Sequence, residues 1–130
     1  MKVDGVLETC IYAAELEATA AFYAQVLGLE PISRKTGRHA FFRSGDAVFL
    51  IFNAEVTREA SDVPPHGARG DGHVAFRVPE SSLDGWKSHL ARHGVPIEAE
   101  VEWPRGGRSL YFRDPAGNSV ELAPARIWGV

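Results

Sequence analysis

Gly107-Arg108-Ser109-Leu110-Tyr111-Phe112-Arg113 restates, with substitutions, the earlier Gly37-Arg38-His39-Ala40-Phe41-Phe42-Arg43. The offset is 107 − 37 = 70. Upstream, Gly28-Leu29-Glu30-Pro31-Ile32 resembles Gly94-Val95-Pro96-Ile97. Further back, the apolar segment from Glu8 to Ala14 precedes a helical stretch, as the segment from His73 to Pro79 does. Glu8 then falls on His73 and Glu15 on Glu80, both at 73 − 8 = 65. An offset that grows slowly along the chain is the mark of small loop insertions. Two long copies indicate a duplicated domain half, because a solenoid needs three or more short repeats.

Each copy reads as strand, helix, then strands. Residues 6–13 alternate and carry β-branched and apolar types, which predicts a strand. Residues 15–27 are rich in Ala, Glu and Leu, with Leu16, Ala20, Tyr23 and Leu27 at helical spacing and Gly28 as the stop. Strands are expected at 31–35, 38–43 and 47–53. The second copy predicts a strand at 73–78 and a helix over 82–93, capped by Ser81 or Ser82 and stopped by Gly94. Strands at 97–103, 108–113 and 118–123 follow, with a type I turn at Asp114-Pro115-Ala116-Gly117. The expected fold class is α+β: one domain over 1–130, made of two paired βαβββ modules. Module one covers about 6–53, a Pro- and Gly-rich connector 54–72, and module two about 73–124. The connector is long enough to lie over a cleft.

Bulk properties narrow the function. The chain has 130 residues, of which 45% are hydrophobic and 24% charged, the composition of an ordinary globular protein. A net charge of -3 argues against nucleic-acid binding, which requires a basic surface. Cys10 is the single cysteine, so no internal disulfide forms, and a reducing compartment is expected. No apolar run is long enough for a membrane span, and the first residues read as no signal peptide. The expectation is a cytoplasmic protein acting on a small molecule, with neither nucleic acid nor membrane as partner.

Strand parity picks out candidate ligands. Glu8, Cys10 and Tyr12 share one face of the first strand, and His73, Ala75 and Arg77 share the equivalent face of its duplicate. Ser119, Glu121 and Ala123 share a face of the last strand. An inward Glu121 needs a partner, and a metal ion is the expected one. Glu8, His73 and Glu121 form a three-ligand set suited to one divalent ion: Zn, Ni, Mn, Fe or Co. Matching Phe42 to Phe112 and shortening one turn puts Phe49 opposite Glu121 (121 − 49 = 72), so a fourth ligand is expected to be missing there.

These residues resemble the vicinal oxygen chelate superfamily, which includes glyoxalase I, extradiol dioxygenases, fosfomycin-resistance proteins and bleomycin-binding proteins. The carriers are Glu15-Leu16-Glu17, Phe22-Tyr23, Val26-Leu27-Gly28-Leu29, Gly72-His73-Val74-Ala75-Phe76 and Tyr111 to Leu122. The resemblance implies modules whose sheets curl into a barrel-like mixed sheet around a metal cleft, usually in a homodimer, with some members building each site from both chains. It places His73 and Glu121 at the family's histidine and final glutamate ligands. Glu8 stands where many members have histidine, a departure that favours lyase, isomerase or thiol-transfer chemistry over ring cleavage.

The resemblance further implies that Tyr111 and Ser109 contact substrate, with Tyr111 joining Glu8 and Glu121 as catalytic residues. His39 and Phe41 are the repeat mates of Ser109 and Tyr111, and His39 and Phe49 are candidate substrate contacts. Arg105 and Arg108 flank Gly106-Gly107 and suggest an anionic substrate group. His66 and Arg69 in the connector are positioned in sequence to close over the cleft. Cys10 reads as an inert thiol. The main expectation is a metal-dependent lyase, isomerase or thiol transferase. The alternatives are a metal-free binding protein of the bleomycin-resistance type, its cleft lined by Tyr12, Phe49, Tyr111 and Trp103, and a ring-cleaving dioxygenase.

Overall fold

The computed structural model describes all residues 1–130. It resolves into two units, Met1–Gly70 and Asp71–Val130. Unit 1 contains β1 (Glu8–Tyr12), α1 (Leu16–Gln25), β2 (Glu30–Lys35), β3 (His39–Ser44), β4 (Ala47–Phe52) and a short α2 (Ala54–Thr57). Unit 2 contains β5 (His73–Arg77), a 3-10 turn (Glu80–Ser82) leading into α3 (Leu83–Arg92), β6 (Ala99–Glu102), β7 (Arg108–Arg113), β8 (Ser119–Ala123) and a final 3-10 turn (Ala125–Trp128). The α+β class and the duplicated module are as expected.

The two sheets have the same topology. Their strand orders are β1-β4-β3-β2 and β5-β8-β7-β6, each mixed because the first strand runs parallel to the last. The helix supplies the crossover that a parallel pair requires. In unit 1 the helix-facing side of the sheet buries Ile11, Ala40, Phe42, Phe49 and Ile51 under Tyr23 of α1. In unit 2 it buries Leu110, Phe112, Val120 and Leu122, and α3 buries Leu83 and Leu90. Each of the larger side chains contributes roughly 1.5–3 kcal/mol on leaving water. This pattern fixes the register, since a one-residue slip would send every core side chain to the other face.

Both helices stop the same way. Gly28 and Gly94 each take φ +68, a conformation that costs other residues about 1 kcal/mol. Val95 N–H then donates to Leu90 O at 2.9 Å, closing the end of α3. Ser82 is not the side-chain cap expected of it: its hydroxyl donates to Pro79 O at 2.6 Å, and the helix grows out of the preceding 3-10 turn instead. The connector is structured at its start by α2, capped by the Asn53 side chain, which accepts from Glu55 N–H. The connector as far as Gly70 belongs to unit 1.

Candidate functional site: a buried carboxylate beside a histidine in unit 2

The side of the unit 2 sheet away from α3 carries the chemistry. Register pairs His73 with Ser119, Ala75 with Glu121, and Tyr111 with Glu121, so His73, Glu121 and Tyr111 share that face. Glu121 is 5% exposed, and its Oε2 lies 3.4 Å from His73 Nε2. Its Oε1 is buried with no hydrogen-bond partner. An ionised carboxylate in that state costs several kcal/mol unless a cation meets it.

The backbone also orients the histidine. His73 Nδ1 lies 3.1 Å from the carbonyl oxygen of Ser119. A carbonyl only accepts, so Nδ1 carries a proton and Nε2 is the nitrogen that faces Glu121. On a neutral ring that nitrogen presents a lone pair, which together with the carboxylate would take a cation between them; on a protonated ring it would donate to Glu121 itself. A backbone carbonyl fixing the far nitrogen is the usual support for a metal-ligating imidazole. This donor set fits a divalent ion. Unit 2 supplies these two groups and no third His, Cys, Asp or Glu beside them.

Tyr111 stacks near His73, with ring centroids 6.2 Å apart. Burial, with the neighbouring Glu121 carboxylate, pushes its hydroxyl up to about 12, so it stays protonated at neutral pH. Ser109 is fully buried, and its hydroxyl accepts from Trp103 Nε1 at 2.8 Å.

A turn that sequence reading took only as a turn also holds the site. Gly117 N–H donates to Asp114 O at 3.0 Å, the expected type I closure. Asn118, 1% exposed, accepts from Gly72 N–H at 2.8 Å and donates to Asp114 Oδ2 at 2.9 Å. Ser119 N–H donates to Gly72 O at 2.9 Å. These bonds pin the residue before His73 to the start of β8. An asparagine directly after a turn glycine was the signal that could have marked it.

Unit 1 carries further candidates. Glu8 is exposed on β1, which lies at the edge of its sheet. It shares a face with Cys10 and Tyr12, and across the register with Val48, Leu50, Phe52, Phe41 and His39. The Tyr12 hydroxyl lies 2.7 Å from His66 Nδ1, so His66 of the connector does fold onto this face. Arg69 instead pairs with Glu55.

Two expectations require correction. Phe49 is not the mate of Glu121. Phe41 pairs with Leu50 as Tyr111 pairs with Glu121, so the mate is Leu50 (121 − 50 = 71). Phe49 lies on the helix-facing side, 1% exposed, with its ring 4.8 Å from Tyr23, and is a core residue rather than a substrate contact or cleft-lining ring. Arg108 is not available to a substrate anion either. It donates to Asp84 Oδ1 at 2.5 Å and to Glu100 Oε1 at 2.6 Å, off the Ser109–Tyr111 face. Arg105 is exposed in the β6–β7 loop.

Comparison with known proteins agrees with this architecture. A family model described as the Glyoxalase/Bleomycin resistance protein/Dioxygenase superfamily matches residues 5–122. The chain therefore belongs to that superfamily. The chain is 37% identical to a lactoylglutathione lyase from Agrobacterium tumefaciens whose crystal structure superposes with a TM-score of 0.95, covering 98% of both chains. It is 27% identical to the metallothiol transferase FosB of Shouchella clausii, over 92% of this chain and 80% of that protein. It is 26% identical to the putative ring-cleaving dioxygenase MhqE of Bacillus subtilis, over 88% of this chain but only 39% of that protein. No helix is long and apolar enough to cross a membrane.

Proposed function

We propose that the protein is a metal-dependent enzyme of the glyoxalase and fosfomycin-resistance kind, acting as a lyase, isomerase or thiol transferase on a small oxygenated substrate. The observation that carries this reading is the buried, unpartnered Oε1 of Glu121, whose other carboxylate oxygen lies 3.4 Å from His73 Nε2. His73 and Glu121 would hold one divalent ion, and Glu8 would complete the set, from the same chain or from the second chain of a homodimer. When bound, such an ion supplies Lewis-acid polarisation of a substrate oxygen. Tyr111 keeps its phenolic proton and offers it as a hydrogen-bond donor to charge developing on substrate. Glu8 or Glu121 serves as the proton acceptor. The kinship to a lactoylglutathione lyase and a metallothiol transferase supports transfer or isomerisation chemistry. The pairing of one histidine with two carboxylates fits ring cleavage by iron less well than two histidines with one carboxylate.

Metal analysis of purified protein tests this reading. About one divalent ion per chain is expected, lost in Glu121→Gln and in His73→Ala. Stripping the ion should lower the melting temperature, and adding Mn, Ni, Zn or Fe should restore it. Absence of any bound ion together with no thermal response to those four would overturn the reading. Mixing Glu8→Gln chains with Glu121→Gln chains locates the third ligand. Recovered activity places Glu8 across a dimer, and none places it within the chain.

A further inference from the structure

We propose that unit 1 carries a binding site for a planar aromatic anion, with Arg38 meeting the anionic group and the rings of His39, Phe41 and His66 meeting the aromatic part. Three arginines of the chain are not exposed: Arg38, Arg58 and Arg108. Arg58 pairs with Glu55, and Arg108 with Asp84 and Glu100. Arg38 has no carboxylate. The hydrogen bond of its side chain runs from Nη1 to His39 Nδ1 at 2.8 Å, and its guanidinium sits 5.7 Å from the Phe52 ring centre. A guanidinium offers five N–H donors in a planar fork that matches a carboxylate, and here most are unused.

The neighbours leave that charge standing. His39 accepts from Arg38, so it is neutral and carries its proton on Nε2, near Ser33 Oγ at 3.3 Å. Burial, then the charges of Arg38 and Lys35, hold its pKa below the usual histidine value. Arg38 differs from its repeat mate Arg108: its guanidinium turns over Phe52, on the His39–Phe41 face, whereas Arg108 turns to Asp84 of α3 and to Glu100 on the helix-facing side. The nearby Arg34 engages Glu17.

The rings lie beside this charge. His39 stacks on Phe41 at 4.0 Å with planes 12° apart, Phe41 meets Phe52 edge-on at 5.2 Å, and Phe52 meets His66 at 4.8 Å. Phe52 is the buried floor, while His39, Phe41 and His66 are half-buried. A flat ring can stack there with its acid directed at Arg38, combining aromatic contact with a charge-assisted bond. This site stands on unit 1 alone and needs no metal at His73 and Glu121.

Calorimetric titration with 2-naphthoate tests it, in protein both as purified and stripped of metal. Saturable binding is expected in both. Arg38→Gln should weaken it about tenfold, or ~1.4 kcal/mol, with Arg38→Lys in between. Phe41→Ala should also weaken it. 2-Naphthylmethanol, which lacks the charge, and acetate, which lacks the ring, should bind at least about tenfold more weakly than 2-naphthoate. The proposal is overturned if 2-naphthoate does not saturate at millimolar concentration, if Arg38→Gln and Arg38→Lys both titrate as the parent does, or if binding appears only with metal present. The last result would leave the metal reading intact.

Discussion

Units 1 and 2 share strand order, parallel pairing and helix termination, yet their working faces differ at each matched position. Glu8 answers His73, Leu50 answers Glu121, and Phe41 and His39 answer Tyr111 and Ser109. One face is aromatic and cationic; the other is a carboxylate with an imidazole. The cores, by contrast, hold the same kind of residue at mated positions, Phe42 with Phe112 and Ile51 with Leu122. Packing against a helix constrains one side of each sheet, and the other side is free to acquire chemistry.

Exchanging mates across the units tests the comparison. The largest effect is expected from Glu121→Leu, which copies Leu50. Metal affinity should fall by about a hundredfold or more, since an imidazole alone remains in unit 2. The metal-free variant should melt at or above the metal-free parent, because an unmatched buried charge has been removed. Titration calorimetry and thermal melts read both. The reciprocal Leu50→Glu places a carboxylate among the apolar and aromatic side chains of the face that also carries Glu8. It should destabilise by about 3–5 kcal/mol in urea unfolding. Asn118→Ala frees the N–H of Gly72 and breaks the tie to Asp114, at about 1–3 kcal/mol, with weaker metal binding as His73 loosens.

The smallest effect concerns the cluster around Arg108. Its hydrogen bond holds the Asp84 carboxyl below its usual value, and the hydrogen bonds of Lys87 first and then of Arg108 do the same for Glu100. A carboxyl lowered in the folded state adds stability above its unfolded pKa, and loses it as pH falls through the folded value. Acid melts of the parent should therefore lose stability below the ordinary carboxylate range. In Arg108→Gln that pH-dependent increment should be smaller throughout. Both groups are exposed, so the difference should be slight.

The duplication, the element order and the side of the sheet bearing His73 and Glu121 were legible because alternation and helical spacing are local properties. The mate of Glu121 was not. It depends on the β3–β4 turn, where Ser44 pairs with Ala47, and a one-residue error there moves the reading from Leu50 on the working face to Phe49 in the core. Arg108 was misread for a related reason. Its flanking glycines suggested a loop, whereas its partners come from the helix, at Asp84, and from the neighbouring hairpin strand, at Glu100. Arg38 was passed over because it stands one residue before β3, where strand alternation does not say which face its guanidinium takes.

On the proposed reading, His73 and Glu121 of unit 2 hold a metal ion. Anomalous diffraction from crystals of the protein, collected on both sides of the absorption edge of the bound element, tests this most directly. The expected result is one peak at about 2.0–2.2 Å from both His73 Nε2 and a Glu121 carboxylate oxygen, with a Glu8 oxygen alongside. A fully loaded crystal whose peak lies elsewhere, with Glu121 Oε1 still unmatched, would contradict it.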